Sequence, residues 1–123
     1  LFQFRTGFDP QGAISVVAFD GSGTAFVATS TSTFTTGTWV NVCGVINTTN
    51  ARVWINNMTD AAAEGTTANP AGTLPSRSQA VYLGARWDTA SDRFDGKIAY
   101  AFIGNWALTE ADRLVLASYA NSL

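Results

Sequence analysis

The 123-residue chain reads as an all-β protein, a two-sheet antiparallel sandwich closed by one short C-terminal helix. Three observations predict this. Short apolar or alternating runs recur, separated by clusters of Gly, Pro, Asn, Asp, Ser and Thr, which is the punctuation of strands and turns. The apolar period changes from two to that of a helix only once, after Leu108. Hydrophobic residues make up 46% of the chain and charged residues only 13%, enough to build a core and the opposite of the balance that keeps chains disordered.

Taken in order, LFQFRT (1–6) alternates, and the turn Asp9-Pro10-Gln11-Gly12 leads to a stronger strand, GAISVVAF (12–19). Asp20-Gly21-Ser22-Gly23 is a hairpin signal, and TAFVAT (24–29) returns from it. Ser30 to Gly37 is rich in Thr and Ser around a single apolar anchor, Phe34, and is expected to be extended with its pairing open. The clearest hairpin is Trp39–Ile46 with Arg52–Asn56, joined by the polar turn Asn47-Thr48-Thr49-Asn50. Residues 57–79 are small, polar and contain Pro70 and Pro75, so a long loop over a sheet edge is expected. AVYLGAR (80–86) is a strand, 87–95 a polar loop, and GKIAYAFIGNWA (96–107) a long strand alternating through Ile98, Tyr100 and Phe102. Thr109 then stands as a helix N-cap, with Glu110 and Asp112 placed to suit the positive end of the helix dipole. Leu114 and Leu116–Tyr119 supply an apolar face, and Asn121 an acceptable C-cap.

Composition excludes several functions. A net charge of −2, with scattered arginines and Lys97 as the only lysine, provides no basic patch for nucleic acid. No apolar run reaches membrane-spanning length, so no membrane insertion is expected. The sequence has no histidine, which removes Ser–His–Asp triads, Cys–His pairs and histidine metal sites. Cys43, the single cysteine, lies in an apolar strand and reads as a buried inert thiol.

The succession GTWVNVCGVIN, RVWINN, AVYLGAR, FDGKIAYAFIGNWALTEAD resembles the laminin-G-like (concanavalin A-type) jelly-roll domains. The matching residues are Trp39, the Val53-Trp54-Ile55-Asn56 run, Tyr82-Leu83-Gly84, Phe94, Gly96, Ile98 and Trp106 to Thr109. The resemblance spans roughly residues 38–120 and implies one sandwich domain over 1–123. It departs in two places. Asn57 stands where the family usually has Gly, a turn position Asn tolerates. Strands that normally precede the equivalent of Leu1 are missing, which leaves a sheet edge to be completed by neighbouring subunits or by an absent part of the chain. The start at Leu1 without Met suggests a processed protein or a piece of a longer one.

Related sandwiches include glucanases, and hydrolysis needs two carboxyl groups flanking the glycosidic bond. Glu64 and Glu110 are the only glutamates, expected in a loop and at a helix start, so no enzymatic activity and no catalytic residue is predicted. Asp88, Asp92 and Asp95 form the densest carboxylate cluster and suit Ca²⁺ at a sandwich rim, as in some relatives; a solvated loop with Arg86 and Arg93 ion pairs is the plainer alternative. Family positions assign Trp39, Trp54 and Trp106 to the core, whereas Trp87 opens a polar loop beside Asp88 and is the stacking candidate. Asn47-Thr48-Thr49 and Asn57-Met58-Thr59 fit the N-glycosylation pattern, at a frequency that chance explains in so Asn- and Thr-rich a chain.

Two functions follow. The first is a non-catalytic binding or adhesion module that recognises a glycan or protein surface through rim loops 20–23, 57–79 and 87–95, with Trp87, Asp88, Asp92 and Arg93 as ligand contacts. The second is an assembly role in a larger particle such as a virion decoration, fibre or tail protein, which the resemblance equally allows. Either implies an extracellular or virion-surface location.

Overall fold

A computed structural model describes residues 2–6, 12–35, 37–75 and 96–122. Among the described residues six strands form two three-stranded antiparallel sheets: β1 (Phe2–Thr6), β2 (Ile14–Phe19) and β3 (Ala25–Thr29) in one, and β4 (Val42–Ile46), β5 (Asn50–Ile55) and β6 (Gly65–Ala68) in the other. One helix, α1 (Glu110–Ala120), follows. The expected class, two antiparallel sheets and a C-terminal helix, is the one observed.

Both predicted hairpins form. β2 and β3 pair with Val17 opposite Val27, and the loop between them closes through Gly23, whose φ of 89° is one that side-chain-bearing residues rarely adopt. β4 and β5 pair with Gly44 opposite Val53, and the Asn47 side chain holds the turn by accepting the N–H groups of Thr49 and Asn50, each at 2.8 Å. β1 adds to the outer edge of β2, Phe4 opposite Val16.

The period of two along each central strand decides the layers. Ile14, Val16 and Ala18 of β2, Phe26 and Ala28 of β3, and Ala51, Val53 and Ile55 of β5 face one another as the sandwich core, with Phe34, Val40, Val42 and Ile46 packed around it. The two sheets touch where β3 meets β6. A Cβ on Gly65 would collide with the backbone oxygen of Thr29, so only glycine fits there. The Thr67 hydroxyl donates to the carbonyl of Val27 beside it.

Two elements differ from expectation. Within 57–79, a 3₁₀ turn (Asp60–Ala62) and β6 interrupt the predicted loop. β6, with the sequence GTTA, carries no apolar alternation; it forms because the free edge of β5 supplies backbone groups to pair, Arg52 opposite Thr66. Conversely, 96–107 is not a strand. Alternating residues set faces, but a strand persists only beside a ladder partner, and no described strand pairs with this segment. The predicted strand 80–86 lies outside the described residues.

The C-terminal helix matches its sequence signals. Thr109 accepts the N–H of Asp112 while the Asp112 carboxylate accepts the N–H of Thr109 at 2.9 Å, a reciprocal capping box. At the far end the Asn121 N–H bonds to the Ala117 carbonyl at 3.0 Å.

Candidate functional site

The described part of the predicted 57–79 loop is divided between the two ends of the sandwich. β6 runs between them, so 69–75 joins the 20–24 and 47–50 loops at one end, while 56–63 joins α1 at the other.

At the first end the polar groups satisfy one another. One Asp20 carboxylate oxygen accepts the N–H of Ser22 at 2.9 Å, the N–H of Thr24 at 2.8 Å and the Ser22 hydroxyl at 2.6 Å. These bonds, the Ser22 hydroxyl foremost, hold the Asp20 carboxyl below the usual carboxylate range against the opposing cost of burial. Gly21 donates to the carbonyl of Thr73 at 3.2 Å, and the buried Asn69 amide reaches the carbonyls of Thr73 at 2.9 Å and Asn47 at 3.4 Å. Three loops are thereby tied into a stiff polar rim whose principal carboxylate is already used as a turn former.

At the second end the outer face of β5 is the organising surface. Trp54, 1% exposed, packs with Val45 and Met58, and Cys43, Ala63, Leu108 and Ala117 complete the cluster. Its indole N–H donates to the Thr59 carbonyl at 2.9 Å. Over its ring lies the guanidinium of Arg113, 4.0 Å from the centroid, with that of Arg52 at 4.7 Å. Arg113 is 3% exposed: it donates to the carbonyls of Met58 at 3.1 Å and Leu108 at 2.9 Å and pairs with Asp60 at 2.6 Å. Glu110 accepts the N–H of Asp60 at 2.6 Å, and Arg52 also reaches Asp60. This clasp docks α1 onto the sheet. Burial pushes the Cys43 thiol up, with Arg113 opposing, in keeping with an inert thiol.

Beside the clasp a shallow groove of about 390 Å³ separates the turn Asn56–Met58 from the C-terminal half of α1. Asn56 has a left-handed φ of 58°, and its side-chain oxygen accepts the N–H of Asn41 at 3.1 Å. The Asn57 oxygen accepts the N–H of Thr59, and the Asn121 oxygen accepts the Asn41 amide at 2.7 Å.

Trp87, Asp88, Asp92, Arg93 and Asp95 lie outside the described residues, as does the rest of the 87–95 loop. Among the described residues no group of three or more Asp, Glu, Cys or His side chains is placed to hold a metal. The two glutamates stand apart: Glu64 accepts the N–H of Ser32 at 2.8 Å, and Glu110 holds Asp60. Both are anchors for backbone.

Two core assignments are corrected. Trp39 is 67% exposed and Trp106 is 56% exposed. Trp39 precedes β4 rather than lying within it, so neither sheet closes over it. Trp106 lies on the segment that makes no strand, where Phe102 meets it edge-on at 5.9 Å. The buried Arg113 was not foreseen, because an arginine on a helix reads as solvated; the signal was the outer face of β5, where Arg52 and Trp54 alternate with Ala51, Val53 and Ile55.

Comparison with known proteins agrees with this architecture. No curated protein and no solved structure matches the chain at a significant level. A family model does: that of the laminin G type described as the concanavalin A-like lectin/glucanases superfamily matches residues 2–112. The match takes in both three-stranded sheets and the start of α1, so the chain belongs to the concanavalin A-like lectin/glucanase superfamily, in its laminin-G-like branch.

Proposed function

We propose that the chain is a non-catalytic binding module of the outside of the cell, recognising a glycan or a protein surface through its rim. Membership of the laminin-G-like family is the observation that carries this reading. The separate structural duties of Glu64 and Glu110 support it, since glycoside hydrolysis needs a facing carboxyl pair. The contacts assigned are Trp87 as a stacking ring, with Asp88, Asp92 and Arg93 binding hydroxyl or charged groups, and Asp88, Asp92 and Asp95 as oxygen ligands for Ca²⁺.

The test is a glycan array probed with the whole chain, with and without Ca²⁺, followed by Trp87→Ala. Retention by the parent chain and a loss of at least tenfold in the variant are expected. Binding that is indifferent to Trp87→Ala and to chelation removes the assigned contacts.

An assembly role is favoured by one specific observation. Ile98, Phe102, Ile103 and Trp106, with Val115 of α1, leave large apolar side chains exposed. Sedimentation decides between the two readings: a chain found only as a multimer and retained on no glycan replaces the binding module with a subunit of a larger particle, such as a virion decoration or fibre. No helix among the described residues is long and apolar enough to cross a membrane.

A further inference from the structure

We infer that the groove between Phe102, Trp106 and α1 is a binding site for a trimethylammonium group carried on a neutral stem, a choline-type cation. It is independent of the rim reading, uses no residue of 87–95, and stands if that reading falls.

Two aromatic walls meet in this groove. The Phe102 and Trp106 rings lie 5.9 Å apart between centroids and are inclined at 73°, so they form a corner rather than a stack. Gly104 makes room for the corner. A Cβ on it would stand 3.2 Å from a Phe102 ring carbon and 3.3 Å from two of Trp106, closer than side chains normally come. The two residues are 43% and 56% exposed, which leaves ring surface open to a ligand. Leu108, Val115 and Leu116 supply an apolar floor, and the groove holds about 260 Å³. That is below the roughly 300–1,000 Å³ of drug-sized sites and suits a headgroup rather than a whole ligand.

Charge selects the headgroup. Asp112 is the one ionised side chain lining the groove among the described residues. The Thr109 hydroxyl and N–H both bond to its Oδ2, at 2.7 and 2.9 Å, and hold the carboxyl below the usual carboxylate range. Its Oδ1 accepts nothing from the described residues, and the neighbouring Arg113 bonds to Asp60 instead. Ring faces and a carboxylate both attract positive charge and turn anions away. Hydrogen bonding then decides which cation. A primary ammonium brings three N–H donors and a tightly held hydration shell. Here it would find little besides Asp112, since the Leu108 carbonyl already accepts from Arg113 at 2.9 Å. A trimethylammonium has no N–H to satisfy, and its methyl groups pack on rings and floor alike. A phosphate on the stem would stand close to Asp112 and be repelled, so a neutral stem is favoured.

The experiment titrates the whole chain, at constant ionic strength, with choline, with phosphocholine, and with dimethylbutanol, the uncharged isostere in which carbon replaces the nitrogen. The Trp106 indole and Val115 amide resonances are followed. Choline is expected to move both signals saturably with a Kd on the order of 1–10 mM, the level two rings and one carboxylate support. Phosphocholine should bind at least threefold more weakly and dimethylbutanol at least tenfold. Phe102→Leu and Trp106→Leu keep the apolar surface and remove a ring, and each should weaken choline threefold or more. Both positions are exposed, so melting temperatures should stay with the parent. Asp112→Asn, which keeps an oxygen for the cap, should do the same to choline with helix content retained. Trp39→Leu, at an exposed tryptophan outside the groove, should leave the affinity unchanged. The inference is overturned if choline moves neither signal, if dimethylbutanol binds as tightly, or if both leucine variants bind choline as the parent does. Choline shifts that vanish wherever sedimentation finds a multimer would assign the rings to a contact between copies, and would overturn it too.

Discussion

The β4–β5–β6 sheet has two covered faces, and they are held by different forces. The inner face presents Ala51, Val53 and Ile55 to the other sheet, an apolar contact that needs shape and nothing else. The outer face presents Arg52 and Trp54 to α1 and the 56–63 turn, and there each favourable contact has a direction: an indole N–H to a carbonyl, a guanidinium over a ring, an ion pair to Asp60. Non-directional burial fastens sheet to sheet. Directional contacts fasten the helix, and they fix where α1 sits and with it the groove that α1 helps to form. A helix packed only by greasy residues has many nearly equal registers; one whose arginine must meet two carbonyls, a carboxylate and a ring has one.

Trp54 is the residue on which the outer face most depends, because it supplies both the area and the ring. Trp54→Ala should cost about 3–5 kcal/mol, as for large buried aromatics. Val53→Ala on the inner face should cost about 1–3 kcal/mol, in keeping with a smaller side chain and a smaller cavity. Chemical denaturation of the two variants measures the contrast. The sharper readout is local: amide exchange in α1 should rise toward the global rate in Trp54→Ala and keep its parent protection relative to the sheet in Val53→Ala. Equal exposure of α1 in both would mean that the two faces form one cooperative layer.

The ionic part of the clasp comes next in size. Arg113 is buried but Asp60 is 59% exposed, so the Coulomb part is weakened by solvent and the two carbonyl bonds and the ring contact carry more of the interaction. Arg113→Ala should cost about 2–4 kcal/mol, since it empties a buried volume and leaves the Met58 and Leu108 carbonyls short of a donor. Arg113→Met refills that volume and should recover part of the loss in melting temperature, without restoring the protection of α1. Full recovery of both would show that area and not direction docks the helix. Asp60→Asn should fall below either, at about 1 kcal/mol, with a loss that shrinks in high salt.

What was legible in the sequence follows the same division between local and non-local causes. Asp20-Gly21-Ser22-Gly23 and Asn47-Thr48-Thr49-Asn50 were readable as hairpin turns because a turn is decided by its own four residues. Thr109 with Asp112 was readable as a helix start for the same reason. β6 was not, because GTTA becomes a strand only through the open edge of β5 and the space that Gly65 leaves beside Thr29. Residues 96–107 erred in the other direction: their alternation is real, yet it cannot supply a ladder partner. For the sites, residue type misled where the neighbour was distant. Trp39 matches a core position of the family yet stands exposed, while Arg113, a residue that usually seeks water, is the most buried side chain of its helix.

The smallest effect separates the helix's own cap from its docking. Thr109 and its bonds, side chain before backbone, hold the Asp112 carboxyl below the usual carboxylate range, with the charge of Arg113 a lesser contribution. A carboxyl that gives up its proton more readily in the folded chain than in the unfolded one stabilises the fold above the ordinary carboxylate pKa. That contribution is lost as pH falls through the depressed value. Asp20, depressed in the same direction by Ser22, adds a parallel acid dependence at the opposite end of the sandwich. Thr109→Ala should therefore cost about 1 kcal/mol at neutral pH, the usual worth of an N-cap. It should also flatten, without abolishing, the fall in stability between about pH 5 and pH 2, because Asp20 still titrates. Denaturation midpoints of parent and variant across that range give the comparison. Two curves that stay parallel to the lowest pH would leave the capping box with no share in the acid sensitivity.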